Sequence, residues 1–227
     1  MLQQILDWSE VWAPVIPLAI LILPKRNIKI AKMDSYIIAY LTIAILLSTM
    51  ADVDWKFRSH LPASWIQSNN VFYNIHSILR SIFFGLVFIG AASKKEKFIN
   101  CFLLLVYVVF AVIDFVFIEN ILVFSSFIFT TEGLMLLLMS LQCIWRIFTE
   151  EGKVDYKHLS IFWIAIGVCI YEAASFFILL FYSSFLNSTS YFANHIWDIH
   201  NIFYILFCSL LVKAFIGTNG HHGRSVN

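Results

Sequence analysis

The sequence predicts an all-α, polytopic membrane protein: a bundle of seven transmembrane helices with the N-terminus outside and the C-terminus cytoplasmic. Three observations predict it. Of the 227 residues, 60% are hydrophobic and only 13% charged, far from the usage of a soluble domain. Apolar runs approaching the roughly 20 residues that cross a hydrocarbon core recur at seven places. The basic residues fall on alternate connections, as expected if cytoplasmic loops retain Lys and Arg.

Taken in order, the expected spans are residues 8–23, 35–52, 70–92, 98–118, 121–147, 160–185 and 194–216. The chain opens "MLQQILDWSEVWAP", without a basic n-region and with Asp7 and Glu10 on the translocated side, so no cleaved signal peptide is expected. With the N-terminus outside, the inner connections hold Lys25, Arg26, Lys29 and Lys32, then Lys94, Lys95 and Lys97, then Arg146, Lys153 and Lys157, then Lys213 and Arg224. Lys56 and Arg58 fall outside, and Arg80 falls within the membrane. The connections are short, as between antiparallel helices, and only the loop "VDWKFRSHLPASWIQSN" has room for an interfacial turn or short helix. Residues 1–217 thus form a single seven-helix domain, and residues 218–227 a short disordered cytoplasmic tail in which His221 and His222 are solvated. Trp8, Trp12, Trp55, Trp65 and Trp197 are expected at the outer interface, and Trp145 and Trp163 at the inner one. Cys101, Cys143, Cys169 and Cys208 all fall within spans, without metal-site spacing, and read as small buried hydrophobes with no disulfide among them.

The informative residues are the polar ones inside this apolar chain. At 1.5 Å per residue, Arg80 lies about 15 Å below the outer boundary, Glu132 about 16 Å below it, and Glu172 about 18 Å from the inner side. Three ionisable residues from three helices therefore share a level. His76 and His200 lie about 9 Å deep and Asp114 about 6 Å deep, with Asp198 and Asn201 near them. Tyr73, His76, Ser77 and Arg80 follow i, i+3, i+4, i+7 spacing, as do Trp197, His200, Asn201 and Tyr204, so each of these two helices offers one polar face to the bundle. An intramembrane charge is costly and is expected to be partnered and functional. Arg80 is always protonated, and Glu132 and Glu172 are its expected partners. With Asp114 included, three carboxyls face one guanidinium, which predicts that at least one acid holds a proton. A purely structural role, holding helices in register, is the competing reading.

Several function classes can be weighed. A retinal protein needs a lysine in the middle of the last helix, and the one there, Lys213, lies at its inner end. A zinc-dependent intramembrane hydrolase resembling alkaline ceramidases is suggested by the residue types His76, Asp114, His195, Asp198 and His200. That family has two histidines four apart on the last helix, whereas His195 and His200 are five apart, about 140° around it, and Phe72 stands where the family has a serine. A small transporter would call for mid-membrane helix breaks, but the prolines are Pro14, Pro17, Pro24 and Pro62, none in the later spans.

The segments "NNVFYNIHSILRSIFFGLVF", "SSFIFTTEGLMLLLMSLQCIWRIF", "IFWIAIGVCIYEAASFFILLFYS" and "HIWDIHNIFYILFCSLLVKAF" resemble a seven-helix membrane protein family of the Bacteroidota. Its third helix often reads NxxxYxIYxxIE, its fifth carries a mid-helix LES, its sixth opens FWIxxGxLIY and its last has WxIHxxxNI. The resemblance covers about the last two thirds of the chain. His76, Glu132, the run "FWIAIGVCIY" and His200 match the pattern, while Arg80 stands where an acid is commoner. Members are often encoded near, or fused to, histidine kinases or LytTR-type regulators, so the resemblance implies a sensory role by association.

The expectation is a receptor-like sensor in the cytoplasmic (inner) membrane. It would bind a small polar or anionic ligand, or a proton, in an outward-facing pocket formed by His76, Arg80, Asp114, Glu132, Glu172, Asp198, His200 and Asn201, with Arg80 as the anion clamp. A separate signalling partner such as a histidine kinase would read the change at the cytoplasmic loops. No metal, other cofactor or nucleic-acid partner is expected, and catalysis is not the leading reading.

Overall fold

The computed structural model describes residues 2–22, 32–58, 68–149, 159–180 and 191–216. Among them there are helices and no strands. Three short helices come first: α1 (Leu2–Asp7), α2 (Ser9–Trp12) and α3 (Val15–Ile22). Then come α4 (Lys32–Phe57), α5 (Asn70–Ala91), α6 (Lys94–Ile113), α7 (Ser126–Thr149), α8 (Ser160–Leu180) and α9 (Tyr191–Ile216). Six of these, α4 to α9, are long and apolar enough to cross a membrane, and the protein is a multi-pass membrane protein. The expected tail, Trp65, the middle of the second loop and several basic loop residues lie outside the described residues.

The apolar run beginning at Trp8 is divided. A turn at Ala13 and Pro14 separates α2 from α3, because Pro14 brings no N–H to a continuing helical ladder. Pro17 is tolerated in the first turn of α3, where an N–H has no partner to lose. From Ser9 to Ile22 the two pieces span about 21 Å.

Helices α4, α5, α7, α8 and α9 pack in that order, and α2 and α3 close the ring between α9 and α4. α6 stands outside it against α5 and α7. This is why Phe98, Phe102, Leu105 and Phe117 are exposed, and why Cys101, expected to be buried, is exposed on the same helix. Cys169 is half-buried, and all four cysteines are free. Gly167 lets α8 approach α9 closely, since a Cβ there would lie 3.3 Å from Phe207 and Leu210, as small residues do at membrane helix contacts.

We call upper the end of the bundle where α4 finishes and α5 begins. The lower interior is mostly apolar, filled by side chains such as Phe88, Met139, Ile164, Leu211 and Phe215, with Asn100 and Ser140 as buried polar exceptions. Its rim is tied by a capping box at Ser93 and Glu96, by an Arg146–Glu96 pair at 3.2 Å, and by Ser160 donating to the carbonyl of Ala214. The polar interior lies above that core.

The upper α6–α7 connection departs from the expected span boundary. α6 ends in π-helical winding over Asp114–Ile118, and α7 begins at Ser126 rather than near Ile121. The apolar run "ILVFSS" is a loop because its backbone finds partners elsewhere: Asn74 Nδ2 donates to the carbonyls of Ile121 and Val123 at 2.8 Å each, and Asn70 to that of Leu122. Bonds of this kind let buried backbone lie outside a helix.

Candidate functional site

Every member of the ring except the wholly apolar α3 contributes a polar side chain to one interior site: Tyr40 from α4, Arg80 from α5, Glu132 from α7, Glu172 from α8, His200 from α9 and Glu10 from α2. Arg80 is the hub. Its Nε donates to Glu132 Oε1 at 2.6 Å, its Nη1 donates to Tyr171 Oη at 2.7 Å, and its Nη2 lies 3.7 Å from Glu172 Oε1. Arg80, Glu132, Tyr171 and Glu172 are all buried. The sequence-predicted triad of Arg80, Glu132 and Glu172 is therefore brought together. The guanidinium suits this role because its donors diverge in a fixed plane.

The second oxygen of Glu132 accepts from Ser77 Oγ, which lies one turn before Arg80 on α5 and 3.5 Å from Tyr107 Oη on α6. Glu172 is held less fully. Its Oε2 has no hydrogen-bond partner and faces Gly133, where a Cβ would stand 3.2 Å away. Any larger residue at position 133 crowds this carboxylate.

Tyr171 extends the network to α9. Its Oη lies 3.3 Å from His200 Nε2, and His200 Nδ1 lies 3.3 Å from Ser175 Oγ. Arg80 can only donate, so Tyr171 accepts from it and donates to His200 Nε2. His200 then carries its proton on Nδ1 and donates to Ser175, a tautomer assigned from the network. Glu10 Oε1 lies 3.8 Å from the same Nε2.

Above the hub, His200 stacks on Trp197 at a centroid distance of 4.7 Å, and Trp197 meets Tyr73 edge-on at 6.1 Å. This aromatic pair lines two spaces. Below it is a cavity of about 20 Å³ bordered by Glu10, His76, Arg80, His200 and Tyr204. Above it is a vestibule of about 600 Å³, bordered by Asp7, Asp52, Trp55, Lys56, Asn70 and Phe124 among others. Trp197 is thus part of the site and not only an interfacial anchor. His76 stacks flat on Tyr40 at 5.8 Å, and its Nε2 has no hydrogen-bond partner.

Three sequence-predicted residues lie apart from the hub. Asp114 is buried, but its Oδ2 accepts from Ser125 Oγ at 2.9 Å, and Ser125 Oγ in turn accepts from the backbone N–H of Ile128. Asp114 therefore steadies the N-cap of α7. Asp198 joins His195 at 2.9 Å and Gln3 at 2.8 Å near the upper surface. Asn201 donates to the carbonyl of Leu6 at 3.1 Å and pins the N-terminal helices to α9. Among the described residues no three His, Cys, Asp or Glu side chains are arranged to hold a metal ion. His195 and His200 point to different neighbours, as their five-residue spacing requires.

Sequence reasoning missed Glu10, Tyr40 and Tyr171. Glu10 carried a signal, an acid inside the first apolar run. So did Tyr171, which precedes Glu172 and lies one turn from Ser175.

Fold and site together define a polytopic helical membrane protein with a buried ionic hub beneath a vestibule. No protein-family model, no curated protein and no solved structure matches the chain.

Proposed function

We propose that this protein is a receptor-like membrane sensor whose vestibule takes a small polar ligand and whose Arg80 hub responds to it. In this reading the N-terminal helices supply the seventh span, the upper end faces outside, and the lower end faces the cytoplasm across the inner membrane. The observation that carries the reading is that one aromatic pair, Tyr73 and Trp197, walls both the vestibule and the cavity above Arg80. A ligand seated against that pair bears on Trp197, hence on His200, Tyr171 and Arg80, and so on helices α5, α7, α8 and α9 at once. A vestibule of this size falls within the usual range for small-molecule sites.

The geometry favours a ligand with a positive or neutral polar group over an anion. The fork of Arg80 is already directed at Glu132, Tyr171 and Glu172, and the cavity on its remaining side is bordered by Glu10, so an anion there would meet carboxylates on both sides. The vestibule itself presents two carboxylates, Asp7 and Asp52, against Lys56, whose ammonium lies 3.4 Å over the Trp8 ring and 3.7 Å from Asp52. Aromatic walls beside carboxylates suit an organic cation or zwitterion. At the lower end Lys94, Lys95, Lys97, Arg146 and Lys213 offer a basic surface to a separate signalling protein. The family resemblance makes a histidine kinase a candidate.

The test is a thermal-shift screen of the purified protein against small amines, amino acids and carboxylates. Stabilisation by an amine or amino acid that is lost in Asp52→Asn and in Trp197→Ala is the expected result. Stabilisation confined to carboxylates and lost only with Arg80 would return the anion-clamp reading. Flux of the hit across proteoliposomes would replace the sensor by a transporter.

A further inference from the structure

We propose that the small cavity beneath Tyr73 and Trp197 is a buried-water site, in which one ordered water joins Glu10 of the N-terminal helices to Arg80 at the centre of the ring. The cavity measures about 20 Å³, enough for a single water, which needs about 10–15 Å³ and two to four polar partners. Those partners are present. His76 Nε2, Arg80 Nη2 and Tyr204 Oη belong to lining residues, are shielded from solvent and have no hydrogen-bond partner within the protein. Arg80 is 4% exposed and Tyr204 2%, so these atoms are cut off from bulk water, and buried polar atoms in that condition are rare.

The chemistry of the wall selects the occupant. Arg80 Nη2 can only donate, an ionised Glu10 carboxylate can only accept, and the Tyr204 hydroxyl and the His76 ring nitrogen can do either. A bare anion would meet Glu10 with Glu132 and Glu172 behind it. A bare cation would meet the Arg80 guanidinium. A water, which both accepts and donates, satisfies the whole set. It also accounts for the Glu10–His200 separation: 3.8 Å is beyond hydrogen-bond range, and the Nε2 of His200 is already taken by Tyr171. A bridging water lets Glu10 belong to the network without displacing Tyr171.

The site rests on the cavity and its unpartnered atoms alone, so it stands whether or not the vestibule takes a ligand. The aromatic pair above it is its seal. In this proposal Tyr73 and Trp197, which border both spaces, stand between the cavity and the vestibule and slow the exchange of its water.

X-ray hydroxyl-radical footprinting of the full chain in lipid nanodiscs tests this, because radicals generated from ordered water label the side chains beside it. Tyr204 is expected to be oxidised several-fold more than Tyr107, which is equally buried at 1% exposure but does not border the cavity. Equal oxidation of the two tyrosines overturns the water site. On rapid mixing with ¹⁸O-water, the heavy label is expected to reach Tyr204 after a lag in the wild type and without a lag in Trp197→Ala. No lag in the wild type overturns the seal. If Trp197→Ala does not fold, Tyr73→Ala opens the same pair from the other side and is read in the same way.

Discussion

Glu132 and Asp114 are both carboxylates with no exposed surface, yet the chain treats them differently. Asp114 is served by its own neighbourhood: a serine eleven residues away, at the head of the next helix. Glu132 is served across the ring, by Ser77 and Arg80 of α5, and through Arg80 it is tied to α8 and α9. The first acid fixes a loop. The second fixes the relative positions of four helices, and its network borders a small cavity with unpartnered polar atoms. Burial alone therefore does not mark a functional acid in a membrane bundle. What marks it is how many separate elements must stay in place for it to remain satisfied.

The largest test of this contrast is Arg80→Leu, which strands two buried carboxylates. It is expected to cost about 3–5 kcal/mol in equilibrium unfolding in mild detergent. The triple change Arg80→Leu, Glu132→Gln, Glu172→Gln is expected to recover much of that loss, because it removes the charges together. No recovery would mean that the hub acts through shape and not charge. Tyr171→Phe removes the hydroxyl between Arg80 and His200 and is expected to cost about 2 kcal/mol in the same measurement. Ser125→Ala strikes the Asp114 cluster and removes an N-cap, for about 1 kcal/mol, with hydrogen exchange rising locally at the first turn of α7 and not at Arg80. The smallest effect is the sharpest: Arg80→Leu and Ser125→Ala share no partner, so the double variant is expected to be additive within about 0.5 kcal/mol. A larger coupling would show the two clusters to be one.

Much of this is legible in the sequence. Hydropathy located α4 to α9, because a helix facing lipid must be apolar over its crossing length. Helical periodicity put Ser77 with Arg80 and Trp197 with His200, since residues three and four apart share a face. Depth counting brought Arg80, Glu132 and Glu172 to one level. It misgrouped Asp114, because equal depth says nothing about direction around the bundle, and helix order is not written in one sequence. The start of α7 was illegible for a related reason: the loop before it is as apolar as a helix, and only Asn70 and Asn74, some fifty residues earlier, make it possible. The first span was misread as one piece because hydropathy is blind to the break that Pro14 introduces. Glu10 then looked like a charge on the translocated surface, when the turn after it lets α2 tuck that carboxylate inward.

The hydrogen bonds around Tyr171 run in one sense: Arg80 gives to Tyr171, Tyr171 gives to His200, and His200 gives to Ser175. Proton hopping requires every link to take a proton as readily as it hands one on. A guanidinium, which has no lone pair to offer and stays charged, breaks that requirement at the centre of the ring. Below it the interior is mostly apolar. Arg80 thus gives the chain of bonds through Tyr171 a fixed direction and a dead end: a proton handed along it has no base to pass to at the centre of the ring.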